Sequence, residues 1–225
     1  MVGHNPLHAL KAFENEGEES EPNFYEVISK VKAGDFVVRD AKADLEYYVA
    51  AQMKAAAIEE STDATSKLKK STDMITAKEF HNFKKNIAIS QMAGEKYTLS
   101  VAVIGDEKEF SLHDAFLGLI KSHISHGNPL GMLGDKGGKF CTISFLAVQK
   151  EFRRNKVASC MIKRQLNLAK DEGAVYAFVN IPTECNGALD MFNKMEFHVF
   201  KDISRPGMRM TAALYPLNSS VSKMN

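Results

Sequence analysis

Short apolar runs alternate along the chain with amphipathic stretches, and their periods predict the elements. Asp35-Phe36-Val37-Val38-Arg39 is a short strand candidate. Leu45, Tyr48, Val49, Met53 and Ala56 then recur at helical spacing on an Ala-rich stretch. Phe80, Phe83 and Ile87 mark one face of a second amphipathic helix, and Tyr97 to Ile104 is a strand by its β-branched content. Leu112 to Ile124 fits two periods. Leu112, Ala115, Phe116, Leu119 and Ile120 suit a helix, while Ala115 to Ile120 also serves as a buried strand.

Further on the pattern is cleaner. Phe140 to Val148 is an apolar run of strand length, followed by a polar turn. A helix spans Val157 to Asp171, with Ala158, Met161, Ile162, Gln165, Leu166 and Ala169 inside and Lys163, Arg164, Asn167 and Lys170 outside. Gly173 supplies its stop. Ala174 to Ile181 is the next buried strand, ended by Pro182, and Ala188, Met191, Phe192 and Met195 place a further helix. Phe197 to Lys201 and Met210 to Tyr215 close the chain as strands. Strand, helix, strand, helix, strand in short order predicts an α/β (α+β) layer with at least one parallel crossover.

Residues 1–30 read as a flexible leader: Glu14, Glu16, Glu18, Glu19, Glu21 and Glu26 have few apolar partners to offset ordering entropy. Residues 31–218 form a single domain and 219–225 a flexible tail. Residues 60–73, rich in Ser, Thr, Asp and Lys, read as a mobile connection, and the segment from Gly127 to Gly138, with five glycines and one proline, as a loop.

Composition narrows the class. The 225 residues are 44% hydrophobic and 25% charged, ordinary for a globular domain. Lys and Arg number 29 against 28 Asp and Glu, without the basic excess of a nucleic-acid binder. No apolar run approaches the roughly 20 residues that cross a bilayer. Met1 to Leu10 has neither the basic start nor the apolar stretch of a signal peptide, so a cytoplasmic protein is expected; the sequence does not decide the oligomeric state, with a monomer slightly favoured. Cys141, Cys160 and Cys185 have no CxxC spacing and read as reduced thiols, with no metal site.

The candidate chemistry sits in the turn. Gln149 to Lys156 carries Lys150, Arg153, Arg154 and Lys156 and opens a helix. A helix start offers free N–H groups and the positive end of the dipole, to which phosphate oxygens bind. A solvated basic turn covering a helix start gives the same pattern. His123 and His126 read as surface or packing residues, as does His113, and nothing demands a role for Arg205 or Arg209.

Residues 143–197 resemble the central motifs of the GNAT superfamily of N-acetyltransferases, which use acetyl-CoA. Leu146, Ala147 and Val148 match the strand that hydrogen-bonds pantetheine. Phe152-Arg153 matches the aromatic-Arg pair, and Arg153, Arg154, Asn155, Lys156, Val157 and Ala158 occupy the Arg-x-x-Gly-x-Gly/Ala pyrophosphate turn. Ala188, Met191, Phe192, Lys194, Met195 and Phe197 match the later helix and its exit. The resemblance implies a central mixed, mostly antiparallel sheet, a parallel strand pair splayed at the cofactor site, and helices on both faces. On it, Ala115 to Ile120 is strand. The long Ala-rich first helix and the segment before Phe140 look most like the arylalkylamine N-acetyltransferases, which implies acetyl transfer to a small primary amine.

Departures from the motif are specific. Lys156 and Glu196 replace glycines, Phe192 stands where many members carry a proton-donating tyrosine, and Cys185 replaces a frequent asparagine. Glu59 and Glu60, at the end of the first helix, match the region of a catalytic glutamate, without the proline that usually follows it. Cys185, Thr183, Tyr176 or water could supply the thiolate proton, although a free Cys is more often a small buried hydrophobe and Tyr176 more often a strand packing residue. The alternatives are an acyl-CoA-binding protein without turnover, which those departures favour, and acetylation of a protein N-terminus or lysine.

Overall fold

A computed structural model describes residues 36–61, 72–104, 115–127, 138–205 and 208–217. Its elements are β1 (Val37–Asp40), α1 (Asp44–Ser61), α2 (Thr72–Met92), β2 (Lys96–Ile104), β3 (Ala115–Gly127), β4 (Gly138–Val148), α3 (Val157–Asp171), β5 (Tyr176–Pro182), α4 (Asn186–Lys194), β6 (His198–Arg205) and β7 (Met208–Pro216). The expected leader, tail and most of the loop after Gly127 lie outside the described residues, as do residues 62–71 and His113.

The strands form one sheet in the order β1-β2-β3-β4-β5-β7-β6. Every pairing is antiparallel except β4 with β5, which is parallel. Both faces of its centre are covered. Leu99, Val101 and Val103 of β2 pack with Leu119 of β3 against Ala50, Ala51 and Met53 of α1 and Phe83 of α2. Ala102, Ile120, Ile124 and Ile143 meet Met161, Ile162, Leu166 and Ala169 of α3 and Phe192 of α4 on the other face. Alternation along β2 sends successive side chains to the two layers, so the strand is apolar almost throughout.

A buried polar chain fastens α3 to the sheet. Ser122 Oγ donates to Gln165 Oε1 at 2.6 Å, Gln165 Nε2 donates to Ser100 Oγ at 2.7 Å, and Ser100 Oγ donates to Asp40 Oδ1 at 2.7 Å. The end of α3 is a Schellman stop, as Gly173 implied. The Gly173 N–H donates to the Lys170 carbonyl and Ala174 to Ala169, with Gly173 at φ 77°.

Two sequence expectations change. β3 runs on to Gly127, so His123 and His126 lie on a strand, and His123 Nε2 pairs with Glu95 at 2.8 Å. The expected face of α1 is only partly core, because Ala-rich α1 is apolar on several sides: Ala56 is exposed, whereas Ala50, Ala51 and Ala55 are fully buried.

Candidate functional site

β4 and β5 pair over only four residues, Phe140 to Ile143 against Tyr176 to Val179. The next residue of β4 is Ser144, and it is the extra residue of a bulge: Lys121 of β3 faces Phe145, but Ser122 faces Ile143. A bulge bends its strand and sharpens the twist. β4 therefore leaves β5 at Ser144, and Phe145 to Val148 pair with β3 alone. The resemblance implied such a splay, and the structure sets its start at Ser144. The Gln149 N–H donates back to the Leu117 carbonyl at 2.9 Å. By strand alternation, the backbone groups of Leu146 and Val148 then face the open side of the splay. The expected pantetheine strand is thus open-edged where the resemblance requires it.

Beyond the splay, Phe152 is buried in the core at 1% exposure and anchors the basic turn. The first helical bond of α3 runs from the Cys160 N–H to the Lys156 carbonyl, so the N–H groups of Val157, Ala158 and Ser159 have no intrahelical partner. Lys156 gives α3 no side-chain cap, and its first turn contains no acid. The turn nevertheless has the backbone of a glycine turn. Arg154 (φ 71°) and Lys156 (φ 62°) are left-handed, as is Glu196 (φ 65°) before Phe197. Both residues that replace family glycines keep the glycine conformation, with Cβ strain as the consequence.

The cationic side chains diverge. Arg153 turns away from the helix start toward α1: its Nε donates to the Val148 carbonyl at 3.0 Å and its Nη2 to Glu60 Oε2 at 2.9 Å. Arg154 instead lies beside Gly187 at the start of α4, 3.9 Å from the position a Cβ would take there. Asn155 is half-buried, Lys156 exposed and Val157 buried, so Val157 offers the site its amide and not its side chain.

Between α1 and the turn lies a cleft of about 350 Å³, lined by Val49, Gln52, Met53, Ala56, Ala57 and Glu60 of α1 and by Ala147 to Glu151 and Arg153. Val49 and Met53 thus serve both the core and the cleft wall, and the exposed Ala56 only the wall. Of the two glutamates only Glu60 reaches the cleft, whereas Glu59 accepts a hydrogen bond from Thr72 Oγ1 at 3.0 Å. The Arg153 hydrogen bond, assisted by the charges of Arg153 and Lys150, holds the Glu60 carboxyl below the usual carboxylate range.

The proposed proton sources separate as well. Cys185 is exposed and stands directly before α4, near Thr183. Tyr176 is buried at the opposite end of β5, stacked on Phe140 with ring centroids 6.0 Å apart, which removes it from the candidates. Phe192 is core, edge-on to Phe197 at 4.9 Å. Gly118 was missed by sequence reasoning. A Cβ there would stand 2.8 Å from the Ala147 carbonyl oxygen, so the strand end at the cleft needs a glycine behind it. Among the described residues, no cluster of three His, Cys, Asp or Glu could hold a metal, and no helix is long and apolar enough to cross a membrane.

No protein-family model and no curated protein matches the sequence. Solved structures do match the fold. An N-acetyltransferase from Staphylococcus aureus Mu50 superposes with a TM-score of 0.56 at 15% identity, over 82% of this chain and 100% of that one. Chaetomium thermophilum Naa20, in complex with a bisubstrate analogue, gives 0.55 at 12% identity over 84% and 90%. A putative acetyltransferase from Salmonella typhimurium with its cofactor acetyl-CoA gives 0.54 at 12% identity over 83% and 96%. By its strand order, its splayed parallel pair and this likeness, the chain has the fold of the GNAT N-acetyltransferases.

Proposed function

We propose that the protein is an acetyl-CoA-dependent N-acetyltransferase acting on a small primary amine, of the arylalkylamine kind. One observation carries the reading: an open-edged strand, Phe145 to Val148, delivers the chain to an uncapped helix start whose turn keeps the left-handed conformation at Lys156. The amides of Val157, Ala158 and Ser159 meet the needs of a diphosphate, and Arg154 and Lys156 add charge. The backbone of Leu146 and Val148 fits an amide-bearing arm, and an N–H there would stabilise the oxyanion of a thioester under attack. Holding the cofactor on β4 and the amine in the adjoining cleft under α1 removes much of the entropic barrier.

The test has two stages. At a concentration one hundred times its Kd, acetyl-CoA adds about 2.7 kcal/mol to stability. For a domain of this size that raises Tm by roughly 5–10 °C. Arg154→Glu should remove most of the shift, and its persistence would exclude the turn as a diphosphate site. Release of free CoA with a panel of amines, followed by thiol titration, then reports turnover. Binding without release would favour the second reading, an acyl-CoA-binding protein, which is motivated by the apolar Phe192 in its buried aromatic pair. Likeness of fold to the NatC complex bound to Gag peptide and CoA, at a TM-score of 0.51, keeps peptide amines in the panel.

A further inference from the structure

Arg153 and Glu60 come from elements 93 residues apart in sequence and meet across the mouth of the cleft at 2.9 Å, each about half exposed. The guanidinium also holds the last carbonyl of β4. Arg153 stands three residues before Lys156 with its guanidinium turned toward α1, so a diphosphate on the α3 amides would compete with Glu60 for the same donor fork. We propose that this pair is a latch: a diphosphate draws Arg153 away, and the freed Glu60 carboxylate becomes the anchor for the ammonium of an apolar primary amine. The proposal rests on the function proposed above and names its substrate class.

Three features support it. A primary amine arrives protonated at neutral pH and needs an anion to meet it. The rest of the α1 wall, Val49, Met53, Ala56 and Ala57, suits an apolar carbon skeleton. Finally, Glu60 is half exposed at the cleft, and a glutamate freed from Arg153 is still ionised at neutral pH, so it can meet that ammonium. The exchange also couples the two sites. With the latch closed each ligand must break the pair, and whichever binds first lightens the task of the second.

The size of the effect follows from exposure. Solvent-exposed ion pairs are weak, so releasing this one changes affinity by about two- to fivefold. Isothermal titration with CoA tests it. Glu60→Gln should tighten CoA binding by that factor, because Arg153 no longer has a competitor. Arg153→Met should weaken it, and adding Glu60→Gln to Arg153→Met should change nothing further. In the wild type, 2-phenylethylamine should bind more tightly with CoA present than without, and that coupling should vanish in Glu60→Gln. If wild type binds CoA while Glu60→Gln leaves the Kd unchanged or raises it, the latch is wrong and the cofactor reading stands. If wild type does not bind CoA at any concentration, both fall together.

Discussion

Gly118 offers a sharp test of how the site is held. It faces Val148 across the β3–β4 ladder. A Cβ at this position would lie 2.8 Å from the Ala147 carbonyl oxygen, 3.2 Å from Met161 Sδ and 3.3 Å from Val148 Cγ2. The first contact is with backbone and cannot be relieved by a rotamer change. The second is with the fully buried Met161 of α3, in a core without slack. Gly118→Ala must therefore push the end of β4 outward or strain the strand pair. Overpacking of this kind costs about 1–3 kcal/mol. At roughly 2–4 °C per kcal/mol for a domain of this size, Tm should fall by about 2–12 °C. Differential scanning fluorimetry with and without acetyl-CoA reads both consequences, because the displaced strand is the one proposed to face pantetheine, and the ligand-induced shift should shrink beyond the loss in basal Tm. Adding Val148→Ala relieves only the 3.3 Å contact and should rescue little. A Gly118→Ala protein with unchanged Tm and an undiminished ligand shift would refute the close approach on which the site's geometry depends.

Further outcomes follow from the buried chain and the turn. Gln165→Leu takes the acceptor from the buried Ser122 hydroxyl while Ser100 keeps its bond to Asp40, so denaturant unfolding should show a loss of about 1–3 kcal/mol, and no loss would mean the chain carries no weight. Lys156→Gly and Glu196→Gly should each hold or raise stability, by up to about 1 kcal/mol, as relief of left-handed Cβ strain exceeds the added unfolded-state entropy. Lys163→Gly, on the exposed face inside α3, should instead cost about 1 kcal/mol. Equal losses at Lys156 and Lys163 would contradict the left-handed assignment.

Legibility in the sequence tracked how strongly one period dominated. Residues of α3 repeat a single apolar face and end at a glycine, and the helix spans Val157–Asp171 as the pattern says. α1 has small apolar residues on several sides, so periodicity could not tell the face against the sheet from the face lining the cleft. β3 outlasts its apolar part because antiparallel pairing with β2 and β4 carries its polar residues onward to His126. The splay was implied by the resemblance, but its place at Ser144 depends on register, a relation between strands that no single run of residues encodes. The direction of Arg153 is likewise set by the backbone path of the turn, whereas Tyr176 is the strand packing residue that its place in an apolar run suggests.

What decides between turnover and binding is the position of the missing donor. Phe192 is 4% exposed and packs edge-on against Phe197, whose ring in turn meets Tyr215 at 5.3 Å. A hydroxyl added to such a ring must find a partner, or its burial opposes folding. The ring is thus committed to holding α4 against the sheet, and it has no proton to give. On the proposed reading the departing thiolate must take its proton from the exposed start of α4, where Cys185 and Thr183 stand, or from water admitted through the same opening. Thiols leave readily as thiolates, since their pKa lies near 8.5, so the reaction needs less help here than at an alkoxide. On the same reading, phenylalanine at position 192 weakens one step and leaves the proposed cofactor contacts in place.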